Sequence, residues 1–232
     1  MPNAMSLNKN LCRFEDLGCR SYRETWDLQE KTLEEVKQAK AEGKTGRNRL
    51  FFVQHPPVYT VGRSGKDGNM LATPALLRAK GAEFIHVDRG GDVTFHGPGQ
   101  LVGYPVFNLE EFPLGVKAYV DKIEEVVIRS MACYGIACER LPGATGVWLE
   151  PHTPRARKIC AIGVKCSRYV TMHGFALNVN TDLSYFKLIN PCGFTDKGVT
   201  SMQEEKGGAL DFAQVCDTVR RHFALVFDLD FV

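Results

Sequence analysis

Asn190-Pro191-Cys192-Gly193 puts a thiol in a turn rather than in a periodic apolar segment. Pro191 biases Asn190 toward extended geometry, and Gly193 frees the backbone just after the sulfur, so the side chain is presented at the rim of a sheet. A thiol held this way can attack a carbonyl carbon once it is ionised. An unperturbed cysteine, with a pKa of about 8.5, is only about 3% thiolate at neutral pH. Raising its acidity about a hundredfold takes roughly 2.7 kcal/mol of preference for the anion. One ammonium at ~4 Å, with an effective dielectric near 20, supplies about 4 kcal/mol before its own desolvation is counted. A single lysine is therefore enough, and the residues alone do not choose among Lys158, Lys165 and Lys187.

The densest cluster of special residues is Arg89-Gly90-Gly91-Asp92-Val93-Thr94-Phe95-His96-Gly97-Pro98-Gly99-Gln100. Glycine lets a backbone turn sharply and approach a ligand with no Cβ in the way. Two glycine turns here bracket a short strand, with Arg89 and His96 at its ends, and such a hairpin can line a groove with N–H groups. Gly-Gly and Gly-Pro-Gly are also ordinary turn chemistry, so a plain surface hairpin is the competing reading. It is not a nucleotide fingerprint. Gly103 falls one residue late for G-x-G-x-x-G, and no G-x-x-x-x-G-K-[ST] occurs. His96 and His173 can each hydrogen-bond a reactive pair or line the groove, and no proton-transfer role is assigned to either.

Two long helices and a run of strands must position these groups. Residues 22–41 read as a helix, with Tyr22, Trp26, Leu33 and Val36 near one face, Ser21 as cap and Gly43 past the end. A second helix is expected over 116–134, a short one at Pro74–Ala79 and a last one over 210–227. Strands are expected over 11–18 (as an edge), 50–53, 58–61, 84–88, 93–95, 101–107, 136–139, 146–149, 159–166 and 169–179. Pro56-Pro57 removes two backbone donors and marks a strand edge or kink. With no repeat, no long linker and no regular βαβ alternation, the pattern argues for an α+β fold. A single domain spans 1–232 behind a short extension of about ten residues, on a mixed, mostly antiparallel sheet flanked by helices.

The totals exclude several classes of function. At 232 residues, 44% apolar and 24% charged, the chain is an ordinary globular composition. Its net charge of +2 predicts neither nucleic-acid nor membrane-surface binding. No apolar run approaches the roughly 18 residues needed to span a bilayer, and no N-terminal leader is seen, so a cytoplasmic protein is expected. The eight cysteines form no Cys-x-x-Cys pair and no zinc spacing. Most are expected to be buried thiols.

The glycine-rich stretch resembles the signature of the lipoyl(octanoyl) transferases, and other blocks follow in the family's order. They are His55-Pro56-Pro57-Val58-Tyr59-Thr60-Val61-Gly62-Arg63, then Arg157-Lys158-Ile159-Cys160-Ala161-Ile162-Gly163-Val164, then His173-Gly174-Phe175-Ala176-Leu177-Asn178-Val179-Asn180 running on to Asn190-Pro191-Cys192-Gly193. Val199-Thr200-Ser201-Met202 closes the pattern, which covers about residues 50–202. Cys160, Tyr169 and Met172 depart mildly from it, in ways that bear on the shape of an acyl pocket.

The resemblance implies the architecture of biotin and lipoate protein ligases. It implies Cys192 as nucleophile, Lys158 as its partner, and substrate contacts at Arg89, Gly90, Gly91, Asp92, Val93, Thr94, Phe95, His96, Ala161, Ile162, Gly163, Gly174, Phe175 and Ala176. The implied reaction moves an octanoyl group from acyl carrier protein through a Cys192 thioester to a lysine of lipoyl domains. The recipients are the 2-oxoacid dehydrogenase E2 subunits and the glycine cleavage H protein, and this is the first step of endogenous lipoylation. Thioester to amide is downhill, so neither ATP nor a metal cofactor is expected. Backbone N–H groups around Gly90, Gly91 or Gly193 are expected to hold the oxyanion. An ATP-dependent lipoate or biotin ligase, a non-catalytic lipoyl-domain-binding module and a thiol hydrolase are the alternatives.

Overall fold

A computed structural model describes residues 10–190 and 197–232. The first strand, β1 (Asn10–Cys19), leads through helix α1 (Tyr22–Ala41) to β2 (Asn48–Gln54), which lies parallel to it. Helix α1 starts where Ser21 and Glu24 exchange side-chain and backbone hydrogen bonds, satisfying two donors that the first turn leaves open. The expected edge position of β1 is wrong. The last strand, β12 (Leu229–Phe231), pairs with Asn10–Cys12 and covers that side.

The chain then changes sheet. After Pro56-Pro57, β3 (Val58–Val61) joins β4 (Glu83–His86) and β5 (Val93–His96) in a separate three-stranded sheet ordered β4-β3-β5. The two prolines sit in the connection between sheets, and β3 itself is the central strand. Helix α2 (Pro74–Ala79), capped by Thr73, packs beside β4. Phe95, Tyr59 and Tyr185 form this sheet's aromatic core, with the Phe95 and Tyr185 rings stacked at 4.5 Å.

From β6 (Gln100–Val106) the chain is back in the large sheet, followed by α3 (Val116–Ala132), β7 (Glu139–Leu141), β8 (Ala144–Leu149), β9 (Arg157–Ser167) and β10 (Val170–Asn178). The large sheet runs β12-β1-β2-β6-β10-β9-β8-β7, with β11 (Gly198–Val199) added beside β9. Helices α4 (Met202–Lys206) and α5 (Phe212–Phe227) complete the fold. Helix α4 and strands β11 and β12 were not expected. Each is too short to show a period.

Helices α3 and α5 cover one face of the large sheet. Val215, Val219, Phe223 and Phe227 recur every four residues on α5 and are buried against Ile123, Val127 and Phe175. Burial of each such side chain contributes about 1.5–3 kcal/mol. Helix α1 covers part of the other face, where Tyr22, Leu33 and Val36 meet Val102, Tyr104 and Ala176. Among the described residues no helix is long and apolar enough to cross a membrane. Of the described cysteines, Cys12, Cys138 and Cys160 are buried, whereas Cys19 and Cys133 are exposed, so burial is less general than expected.

Candidate active site

Between the small sheet and the open face of the large one lies a cavity of about 390 Å³, within the range of small-molecule sites. Its floor is a row of small residues that the strand registers bring together. Ala161 on β9 stands opposite Ala176 on β10, which stands opposite Val102 on β6, and Gly163 stands opposite Gly174. Its roof is the glycine-rich hairpin, and Tyr22 of α1 closes one side.

Lys158 reaches this cavity because β9 carries one residue too many. Val147 of β8 pairs with Cys160 and Trp148 pairs with Lys158, leaving Ile159 as a bulge. Ile159 and Cys160 consequently both turn into the core under α3, while Ala161 and Lys158 face the cavity. The Lys158 ammonium lies 4.6 Å from the Trp148 ring centre and donates to the Thr145 carbonyl at 3.1 Å. Gly146 permits this approach, since a Cβ there would stand 2.6 Å from the Cys160 carbonyl. On its other side, Lys158 is paired with Val199 of β11.

The hairpin is held by Arg89 rather than left open. One guanidinium nitrogen donates to the Thr60 carbonyl at 2.8 Å, the Thr60 hydroxyl at 2.9 Å and the Asp92 carbonyl at 2.8 Å, and the other donates to the Gly90 carbonyl at 3.0 Å. The Gly90 N–H donates to the Val164 carbonyl at 2.9 Å, which ties the roof to β9. Gly90 is thereby excluded as the expected oxyanion donor. Gly163 must be glycine for the same contact, because a Cβ would stand 2.7 Å from the Gly90 carbonyl. Asp92 accepts from the Val93 N–H and from Asn69.

From Arg89 a directed chain of hydrogen bonds crosses the cavity wall. The Thr60 hydroxyl faces His96 Nε2 at 3.4 Å, and His96 Nδ1 faces the Gln100 carbonyl oxygen at 2.9 Å. The Gln100 amide donates to Phe95 and Asn178, and Asn178 donates to the Thr200 carbonyl. These partners assign the proton of His96 to Nδ1. Burial, helped by His55 and Arg89, holds the His96 pKa well below the ordinary range, so the ring is neutral.

His173 breaks the alternation of β10. Its φ of +58° is uncommon outside glycine and turns the imidazole to the α1 face, where Nε2 meets Asp88 at 2.9 Å and Nδ1 meets the Tyr22 hydroxyl at 3.5 Å. Burial lowers its pKa to about 4 against the opposing pull of Asp88, so in this contact a neutral ring donates its Nε2 proton to the carboxylate. Burial opposes ionisation of Asp88, yet hydrogen bonds from His173 and Lys165 hold its carboxyl below the usual range. Lys165, a rival for the reactive role in the sequence, is committed to this pair. His55, whose pKa burial lowers to about 4, lies between the Arg20 carbonyl and the Tyr104 hydroxyl.

Lys158, Arg89, Gly91, Asp92, Val93, Thr94, His96, Ala161, Ile162, Gly163, Gly174, Phe175 and Ala176 all line this one cavity. Phe95 and Gly90 do not, since the Phe95 ring fills the small sheet's core and Gly90 is bound to β9 through the Val164 carbonyl. Phe175 packs its ring against Phe223 on the opposite face at 5.6 Å. Cys192 and Gly193 lie outside the described residues. Cys160, Tyr169 and Met172, expected to shape the pocket, do not line it. Cys160 and Met172 are buried in the core clusters, and Tyr169 is 56% exposed. The sequence reading missed Tyr22, Tyr104 and Trp148. Strand parity on β6 and β8 could have placed the last two.

The match to known proteins agrees with this geometry. Residues 21–224 match the lipoyl protein ligase A/B catalytic domain. The chain is 56% identical over 216 residues to an octanoyltransferase of Parabacteroides distasonis, covering 93% of this chain and 98% of that one. It is 46% identical over 231 residues to an octanoyltransferase of Christiangramia forsetii, covering 97% and 98%. Among solved structures, a bi-partite lipoate protein ligase from Thermoplasma acidophilum superposes with a TM-score of 0.70 at 14% identity, covering 96% of this chain and 86% of that one. A biotin protein ligase from Aquifex aeolicus superposes at 0.54 with 14% identity, covering 93% and 70%. The α+β arrangement is that of the lipoate and biotin ligases, and the chain belongs to the lipoyl protein ligase A/B catalytic-domain family, among its octanoyltransferases, which are acyltransferases.

Proposed function

We propose that this enzyme takes an octanoyl group from the phosphopantetheine thioester of acyl carrier protein onto Cys192 and delivers it to a lysine amine of a lipoyl domain. The observation that carries the reading is Lys158, an ammonium turned by the Ile159 bulge toward the open end of a cavity floored by Ala161, Gly163, Gly174, Ala176 and Val102. Cys192 follows Asn190, whose N–H is bonded to the Asn69 carbonyl, and precedes Lys197, which lines the same cavity. A thiolate beside Lys158 attacks the donor carbonyl, and the phosphopantetheine thiolate leaves with a proton relayed by the lysine. The recipient amine, deprotonated by the same group, then displaces Cys192 and leaves an amide. The second product is more stable than the thioester, so no ATP enters. The reaction is placed in the cytoplasm, with the E2 lipoyl domains and the glycine cleavage H protein as recipients.

The test is to mix the protein with octanoyl-acyl carrier protein and measure intact mass. A gain of one octanoyl group, lost in Cys192→Ser and discharged by a lipoyl domain, is expected. Transfer that requires ATP and survives Cys192→Ser would establish a ligase instead.

A further inference from the structure

The cavity has one open end and one closed end. Around Lys158 its lining includes the exposed Gly143, Thr145 and Gly198, whereas at the other end Tyr22, Tyr104 and His173 are each no more than 3% exposed. Lys158 and Gly163 have four residues of β9 between them, and with the bulge at Ile159 the span is roughly 13 Å. Gly163 is opposite Gly174, and His173 is the next residue along β10. A ligand whose reacting carbon sits beside Lys158 therefore runs inward toward the two tyrosines.

These tyrosines are held as fixed walls. The Tyr104 hydroxyl donates to His55 Nε2 at 2.9 Å, because His55 uses its Nδ1 proton on the Arg20 carbonyl at 2.7 Å. The Tyr22 hydroxyl is turned to His173, and its ring stacks on His96 at 5.7 Å between centroids. With both hydroxyls satisfied inside the protein, what the cavity end offers a ligand is ring surface. Ring surface suits the methyl end of a hydrocarbon and stops it from going further.

We infer that Tyr22 and Tyr104 form the end wall that sets the length of the acyl chain, with Tyr22 the principal stop. This rests on the acyl-transfer reading and adds the residues that make it selective. Replacing Tyr22 by alanine removes one wall, and the space freed admits further methylenes. At the usual value of burying a methylene, two more carbons raise the preference for the longer chain by about tenfold.

The full-length protein is given an equimolar mixture of hexanoyl, octanoyl, decanoyl, dodecanoyl and tetradecanoyl thioesters of acyl carrier protein, and the adducts are resolved by mass. The wild-type protein and Tyr22→Phe are expected to favour octanoyl. Tyr22→Ala is expected to shift the decanoyl-to-octanoyl ratio upward by about tenfold, and Tyr104→Leu to shift it in the same direction. Tyr22→Leu replaces Tyr22→Ala if circular dichroism shows the latter unfolded. An unchanged ratio in folded variants of both tyrosines overturns the inference while leaving acyl transfer intact. If the wild type captures no acyl group, the free fatty acids of the same lengths are used in thermal-shift titrations. A wild-type stabilisation that peaks at octanoate and moves to longer acids in Tyr22→Ala sustains the wall without the transferase. The same peak in both proteins removes it.

Discussion

At the scale of single residues, the site separates groups that act from groups that hold. Lys158 has its ammonium over the Trp148 ring and on the Thr145 carbonyl, at the open end of the cavity. Lys158→Met keeps the stem and removes the charge. Acyl transfer should fall by about 10²–10⁴-fold in a single-turnover assay with little change in melting temperature. Arg89 is a holder. Lysine cannot reproduce a fork that meets Thr60, Gly90 and Asp92 together. Arg89→Lys should therefore cost about 2 kcal/mol or more in a urea titration and weaken acyl capture through loss of the roof. The hairpin residues were legible in the sequence because glycine density is a local signal. Tyr22 was legible only as a helix-face residue, since its place over the cavity depends on how α1 docks on β6 and β10.

Elements add constraints that no residue carries alone. Gly174 lies tight against β6, where a Cβ would overlap the Gly103 carbonyl. Gly174→Ala should cost about 1–3 kcal/mol by chemical denaturation, whereas Gly208→Ala, with open space around it, should stay within about 0.5 kcal/mol. The long helices and most strands were readable from periodicity, and observed bounds for α1 match the reading at both ends. Three features were not readable. The change of sheet after His55 depends on β3 finding β4 and β5, which follow it by twenty residues and more. The left-handed turn at His173 carries no glycine to announce it. The bulge at Ile159 exists only relative to its partner strand β8.

For the whole molecule, the buried histidines make stability depend on pH in a defined window. His55 and His173 have pKa values lowered to about 4 by burial, below the unfolded value of about 6.5. Between those limits the unfolded chain binds the extra protons, so stability rises with pH there and is lost as pH falls through the window. At neutral pH both rings are uncharged whether folded or unfolded, and by pH 4 each has cost on the order of 3 kcal/mol. The urea midpoint should fall steadily from about pH 6.5 toward pH 4, and His55→Gln should flatten that slope. Glu205, held below the usual carboxylate range by Arg157, gives up its contribution only at lower pH, so acid unfolding should begin with the imidazoles. The α+β class was evident from the order of helices and strands, because each of those elements is read over many residues. The division into two sheets was not, because strand partnership is decided by contacts far apart along the chain.

The extra residue in β9 acts as a phase shift between odd and even positions. Slippage that spread Ile159 into a regular ladder would exchange it with Lys158, putting a hydrocarbon branch toward substrate and an ammonium into oil. Deleting Ile159 would instead leave the amine on its present side and shorten the strand by one step. Chemistry at this mouth is thus tied to parity along a strand, a property that an unchanged set of side chains would not preserve.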